Sequence, residues 1–163
     1  MLPKTKNEGV EKQIQLLHAS AGDIPSDDNQ YDLVVSSRFL RLFPSNMYPI
    51  FIEEMLRVVK PKGYVIFEVK NKYAGLGVYY KDELVKKIKG GTPSSSVSIV
   101  QIHRIMNKIR NKNVGAKIIS IKGCQLPKAR YINPNTKNAE IVRWLSRSIL
   151  KPIVLFYFVI IQK

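Results

Sequence analysis

The sequence YDLVVSSRFLRLFPSNMYPIFIEEMLRVVKPKGYVIFEV, residues 31–69, decides the fold of this 163-residue chain. Its first part, Tyr31–Ser36, contains a continuous aliphatic run that is typical of a strand covered on both faces in a parallel sheet. A helix is predicted over about Met47–Val59, because apolar residues recur there at helical spacing. Lys60–Gly63 predicts a tight turn, and Tyr64–Val69 predicts a second buried strand. Strand, crossover helix and strand of this length form a right-handed parallel unit.

The residues on either side of this unit continue the alternation of strands and helices. Gln13–Ala19 alternates loosely and predicts a short strand before the unit. Further elements are predicted after it: a short helix over Asp82–Lys89, an amphipathic basic helix over Val97–Lys112, a strand over Ala116–Cys124, a second basic helix over Ala139–Leu150 and a final strand over Val154–Gln162. The Gly- and Tyr-rich segment Asn71–Tyr80 is a candidate substrate lid. We therefore expect one α/β domain spanning residues 1–163.

Composition excludes several classes of protein. Apolar residues make up 45% and charged residues 24% of the chain, as in ordinary globular proteins. A single cysteine, Cys124, excludes an internal disulfide framework and most metal clusters, so no metal site is expected. The polar start of the chain does not match a secretory signal, and the longest apolar run, Pro152–Ile161, is shorter than the roughly 20 residues that cross a bilayer. We expect a cytoplasmic protein without a transmembrane segment.

The positive charge lies almost wholly in the second half of the chain. Residues 1–83 contain 11 Lys and Arg and 11 Asp and Glu, whereas residues 84–163 contain 16 basic residues and one acid, Glu140. Such asymmetry indicates an anionic partner: nucleic acid, phospholipid headgroups or a phosphorylated substrate. The alternative is a lysine-rich surface that only interacts with water. No aromatic-interleaved basic motif decides between the two.

Three segments together resemble successive motifs of the class I S-adenosylmethionine-dependent methyltransferases. They are Ala21–Pro25 (AGDIP), Gln30–Ser36 (QYDLVVS) and Glu54–Gly63 (EMLRVVKPKG). The resemblance covers roughly the last two thirds of such a domain. It implies a partial Rossmann-like sheet whose strands correspond to the third to seventh of that fold. That sheet is mostly parallel, and its final strand is antiparallel and inserted beside its neighbours.

The resemblance also implies a cofactor, S-adenosylmethionine, and residues that bind it. Asp23 matches the acid that accepts a hydrogen bond from the adenine amino group. Ile24 matches the residue whose N–H meets a ring nitrogen and whose side chain packs on the adenine. Ser36, Ser37 and Phe39 fall at the strand end that lies beside the methionine part of the cofactor. A catalytic residue is not implied, because Leu40-Arg41-Leu42 stands where the family often has Leu-x-His.

Two functions stay open at this point. The sequence contains neither the family's Gly-rich loop nor the acid that binds the ribose, so we expect an incomplete, truncated domain. In the first hypothesis it transfers methyl to a small-molecule, lipid or glycan acceptor once an amino-terminal part is supplied. In the second it is a degenerate, non-catalytic module that binds nucleic acid or lipid headgroups through its basic second half. The edge of Tyr31–Ser36 is expected to self-associate or to pair with an amino-terminal partner chain.

Overall fold

The computed structural model of the protein describes residues 14–73, 95–112, 115–124 and 156–163. Within these residues four strands and two α-helices form. They are β1 (Tyr31–Ser36), α1 (Tyr48–Val58), β2 (Val59–Lys70), α2 (Ile99–Lys112), β3 (Lys117–Cys124) and β4 (Phe156–Gln162). Two 3₁₀ turns, Leu40–Leu42 and Ser45–Met47, lie between β1 and α1.

The four strands form one sheet in the order β1-β2-β4-β3. β1 pairs with β2 in parallel, while β4 lies between β2 and β3 and is antiparallel to both. Three strands therefore run in one direction and only the last strand runs in the other. This arrangement confirms the predicted fold class, including the inserted antiparallel strand.

The hydrophobic core lies between one face of the sheet and the two helices. Alternate residues of β2 and β4 face it, and the pairs Val65–Ile161, Phe67–Val159 and Val69–Tyr157 are at most 1% exposed. α1 and α2 bury the apolar faces that their spacing predicted: Phe51, Ile52, Met55 and Leu56 on α1, and Ile102, Met106 and Ile109 on α2. The core thus joins β2 to β4, the last strand of the chain.

The turn predicted at Lys60–Gly63 forms a bulge inside a longer strand. β2 begins at Val59 and continues to Lys70. Tyr31 of β1 pairs with Val59, but Leu33, two residues later, pairs with Tyr64. The register between the two strands therefore shifts at this point. The residues in between, Lys60–Gly63, have no register partner in β1, and Lys62 adopts a positive φ of 67°. Hydrogen bonds to Lys163 hold the bulge on its other side: Lys62 N–H donates to the Lys163 carbonyl and Lys163 N–H donates to that of Gly63.

Two predictions about the first part of the chain are wrong. Residues 14–19 form no strand, because no described strand lies beside them and their aliphatic side chains are largely exposed; Ser20 makes an isolated bridge with Asp23. β1 is not covered on both faces. It pairs only with β2 among the described strands, and Leu33 and Val35 are 51% and 59% exposed.

Other predictions fall outside the described residues. These are the helices over Asp82–Lys89 and Ala139–Leu150 and most of the lid segment Asn71–Tyr80. Among the residues that the structure describes, no helix combines the length and the apolarity that crossing a membrane requires.

Replacing Gly63 by alanine tests how tightly the bulge is packed. A Cβ there would lie 2.9 Å from both the Asp32 carbonyl oxygen and Val59 Cγ2, and 3.0 Å from the Lys60 carbonyl oxygen. Because two of these atoms are backbone, Gly63→Ala should lower the free energy of unfolding by about 1–3 kcal/mol in urea titrations.

The matched control for this variant is Gly22→Ala. Its Cβ would lie 3.3 Å from Ile50 Cγ2, a side-chain atom that can move, so a smaller loss of stability is expected. Equal losses in the two variants would show that the bulge tolerates a side chain.

Candidate functional site

A cavity of about 300 Å³ opens at the carboxyl end of β1. Three segments build it: the loop before β1, the end of β1 with the residues that follow, and the buried face of α1. The lining residues are Ala21, Ile24, Val34, Val35, Ser36, Ser37, Phe39, Phe51 and Met55. Ligands of open α/β sheets bind at the carboxyl ends of the strands, so the position is that of a ligand site.

An ion-paired arginine on α1 fixes the loop that forms one side of the cavity. Arg57 donates to both carboxylate oxygens of Glu54, at 2.7 and 3.0 Å, and to Asp28 Oδ1 at 2.7 Å. It also donates to the backbone carbonyl oxygens of Ile24, at 2.9 Å, and Ser26, at 2.8 Å. One guanidinium therefore binds the helix and three points of the loop. Glu54 and Arg57 thus pair with each other, and Arg57 also binds backbone.

The backbone N–H of Ile24 is part of the same network. It donates to Glu54 Oε1 at 2.8 Å, so the N–H that the resemblance assigned to an adenine nitrogen already has a protein acceptor. The Ile24 side chain lines the cavity, as the prediction requires. Hydrogen bonds from Arg57 lower the pKa of the Glu54 carboxyl below its ordinary value of 4.5, so Glu54 is a carboxylate at neutral pH.

The two serines at the end of β1 differ in their partners. Ser36 Oγ is buried and has no hydrogen-bond partner among the described residues. Ser37 Oγ donates to Glu68 Oε2 at 2.9 Å, and Glu68, on β2, is only 7% exposed. Glu68 was not predicted as a site residue. Its position, an acid inside the apolar run of β2, is the signal by which it could have been found.

Aromatic side chains form another wall of the cavity. Phe39 and Phe51 line it, with ring centroids 5.3 Å apart, and Phe43 packs 4.8 Å from each of them. Phe39 was predicted as a site residue, whereas Phe51 was assigned only to the apolar face of the helix. A flat, apolar ligand group fits against such a wall.

Asp23 does not line the cavity. Its side chain is exposed, and its backbone N–H donates to the Ser20 carbonyl oxygen at 3.1 Å. It directly precedes Ile24, which does line the cavity. Four of the five predicted site residues, Ile24, Ser36, Ser37 and Phe39, thus meet at one cavity, and Asp23 lies beside it. In the described ranges no group of three or more His, Cys, Asp or Glu side chains is placed to hold a metal ion.

Comparisons with known proteins find similarity to methyltransferases. A family model described as "Methyltransferase domain" matches residues 1–67. The demethylmenaquinone methyltransferase of Bacillus cereus (strain B4264) is 44% identical over 64 residues, which is 39% of this chain and 26% of that protein. The match therefore spans about a quarter of the length of this curated relative.

Solved structures share the fold at low sequence identity. A SAM-dependent methyltransferase from Archaeoglobus fulgidus is 15% identical, with a TM-score of 0.59 over 94% of this chain and 69% of that one. Magnesium protoporphyrin IX methyltransferase from Synechocystis PCC 6803, solved with bound SAH, is 12% identical, with a TM-score of 0.53 over 89% of this chain and 48% of that one. The resemblance to class I S-adenosylmethionine-dependent methyltransferases is confirmed, and the fold is theirs.

The depressed pKa of Glu54 predicts a pH-dependent contribution to stability. Because Glu54 holds its proton less tightly when folded, its contribution is complete above pH 4.5 and is lost as the pH falls through the lower, folded-state pKa. At pH 7, Glu54→Gln should lower the free energy of unfolding by about 1–2 kcal/mol. Urea midpoints of the wild type and the variant should draw together as the pH falls below 4.5.

The exposed pair Lys60–Asp32 provides the control for Glu54. Lys60 Nζ and Asp32 Oδ1 are 2.9 Å apart, yet the Asp32 side chain is 86% exposed. Asp32→Asn should change stability at pH 7 by about 0.5 kcal/mol or less. If the difference in urea midpoint between wild type and Glu54→Gln stays constant from pH 7 to pH 3, ionisation of the Glu54 carboxyl is not the source of that difference in stability.

Proposed function

We propose that the chain forms part of a methyltransferase that transfers the methyl group of S-adenosylmethionine to a small-molecule or lipid-type acceptor. The observation that carries this proposal is the cavity at the end of β1, which is built by residues of the family motifs. The cofactor assignment rests on the family match and on the SAH-bound structural neighbour. The relative from Bacillus cereus, named for demethylmenaquinone, supports an acceptor of this type.

The residues around the cavity fit the adenosyl part of the cofactor. The volume of about 300 Å³ lies at the small end of the range of roughly 300–1,000 Å³ for small-molecule sites, so it suits part of the cofactor. Phe39 and the Ile24 side chain offer apolar surface to a flat ring. The buried Ser36 hydroxyl, which lacks a partner among the described residues, offers a hydrogen bond to a polar ligand atom.

The chemistry assigned to this chain is binding and orientation. When bound, S-adenosylmethionine supplies an electrophilic methyl group. In our proposal Asp23 accepts a hydrogen bond from the adenine amino group, while Ile24 packs against the ring. Glu68 holds the Ser37 hydroxyl at the end of β1 in one orientation, 2.9 Å from its carboxylate. Positioning of this kind is what an in-line transfer to an already nucleophilic acceptor requires.

We further propose that the domain is completed by another polypeptide strand along the free edge of β1. Among the described strands β1 pairs only with β2, and its Leu33 and Val35 side chains are more than half exposed. Val35 also lines the cavity, so the unpaired edge and the proposed ligand site are continuous. A strand from a second copy or from an amino-terminal partner chain would cover the edge and enclose the site.

Asp23→Ala tests the proposed function at the cofactor site. Because the Asp23 side chain is exposed, its loss should shift Tm by less than about 2 °C. It should weaken binding of S-adenosylhomocysteine about tenfold, as expected for the loss of one hydrogen bond to the ligand. Ligand-detected NMR titration measures this even at millimolar Kd.

Asp27→Ala is the matched control, an exposed acid in the same loop that does not line the cavity. It should change neither Tm nor binding. If the two variants weaken ligand binding equally, the Asp23 effect comes from the loss of a negative charge in the loop and not from a hydrogen bond to the ligand. No detectable binding of S-adenosylhomocysteine by the wild type at millimolar concentration, even at protein concentrations where it self-associates, would contradict the function.

Val35→Lys tests the edge of β1. A lysine on this strand should reduce self-association, because a charged side chain at an edge opposes further strand pairing. In sedimentation velocity the wild type should shift to larger species as its concentration rises, and the variant should stay monomeric. Val100→Lys on the helix α2, where Val100 is 59% exposed and no strand edge is altered, should not have this effect. Micromolar S-adenosylhomocysteine binding by a strictly monomeric wild type would rule out completion across the edge.

A further inference from the structure

The outer face of α2 and the adjoining strand β3 form a surface with unusual electrostatics. Four cationic side chains are exposed there, and we call them the basic ridge: Arg104, Lys108, Arg110 and Lys117. α2 contains no acidic residue. The ion pairs found among the described residues lie elsewhere, at Arg57 and Lys60. Within the described part of the chain, no ridge cation has an ion-pair partner.

Two shallow cavities show how the ridge is laid out. Arg104 and Lys108 line a groove of about 350 Å³ between α2 and the start of α1. Arg110 and Lys117 line a second groove, of about 220 Å³, on the β3 side of the helix. The cations therefore spread across both flanks of α2. Four cations that have no ion-pair partner among the described residues repel one another, and an extended anionic surface is the partner that relieves the repulsion.

The chemistry around the ridge favours a lipid surface over a nucleic acid. Single-stranded nucleic acids bind by stacking bases on aromatic side chains, and neither groove is lined by Phe, Tyr or Trp; His103 is the one aromatic ring among their described lining residues. Aliphatic side chains are exposed instead. Val100, one turn before Arg104, is 59% exposed, and Leu42 is 69% exposed. The turn that contains Leu42 is bound to the residues before α2, because Ser95 N–H donates to the Arg41 carbonyl oxygen. Basic side chains beside exposed aliphatic ones are typical of helices that lie at a membrane interface.

We infer that the basic ridge docks the protein on an anionic membrane surface. Arg104 and Lys108 contact lipid headgroups, and Val100 inserts beside them into the interface. This binding goes beyond the proposed methyl transfer and does not depend on it, because it involves neither the cofactor nor the cavity at β1. Together with the proposed lipid-type acceptor, this docking would bring the protein and its acceptor to the same membrane surface.

Co-sedimentation of the full chain with vesicles tests this inference. We expect binding to vesicles of phosphatidylglycerol and phosphatidylcholine, little binding to phosphatidylcholine alone, and weaker binding as salt increases. Arg104→Gln combined with Lys108→Gln should reduce the partition coefficient by roughly tenfold to thirtyfold, since each basic residue near the surface contributes separately. Val100→Ser should reduce the binding that remains at high salt.

The matched control removes the same net charge at a different place. Lys60→Gln combined with Lys62→Gln changes the bulge of β2, where both side chains are outside the ridge, and should leave vesicle binding within about twofold of the wild type. Equal losses in the two double variants would show that only net charge matters and would overturn the inference. So would equal binding to neutral vesicles, or ridge-dependent binding to single-stranded RNA without retention on anionic vesicles.

Discussion

The guanidinium of Arg57 is the contact on which the candidate site depends. It joins α1 to the loop before β1 through Glu54, Asp28 and the carbonyl oxygens of Ile24 and Ser26. That loop has no strand of its own in residues 14–19, so its position comes from this network rather than from a sheet. A planar group with five donors can satisfy several acceptors at once, which a lysine cannot do. The side of the cavity that carries Ile24 is therefore fixed by electrostatics, whereas the opposite side is fixed by hydrophobic packing.

The sheet distributes its apolar surface unevenly, and this governs where the molecule can bind other groups. One face of β2 and β4 is sealed by α1 and α2. The edge at β1 lacks such cover: Leu33 and Val35 are exposed although a strand of this composition is normally interior. Because Val35 belongs both to this edge and to the cavity lining, any strand that pairs with β1 changes the environment of the proposed cofactor site.

Most of the described fold followed from periodicity, because each buried element has a clear apolar pattern. β1, α1, α2, β3 and β4 lie where the sequence predicted them, within about two residues at each end, as is usual for element boundaries. Tertiary contacts explain the failures. The predicted strand Gln13–Ala19 had an alternating pattern, but its described residues 14–19 have no neighbouring strand within the described part of the chain. Lys60–Gly63 had turn residues but forms a bulge inside β2, and Lys163 binds the other side of that bulge. The Ile24 N–H bond to Glu54 and the Ser37 bond to Glu68 join residues about 30 apart, which no local pattern reveals.

The separation of charge along the chain has a structural counterpart. Two cations in the first half of the chain form ion pairs: Arg57 with Glu54 and Asp28, and Lys60 with Asp32. The later part of the chain supplies the basic ridge, yet it also supplies β4, whose Tyr157, Val159 and Ile161 pack against β2 in the core. The basic part of the chain is thus not a detachable tail, since removing β4 would expose the centre of the sheet. Because β2 pairs with β1 on one side and with β4 on the other, one sheet carries the cavity at β1 and the strand β3 that adjoins the ridge. In our proposal, a membrane bound by the ridge therefore orients the cavity.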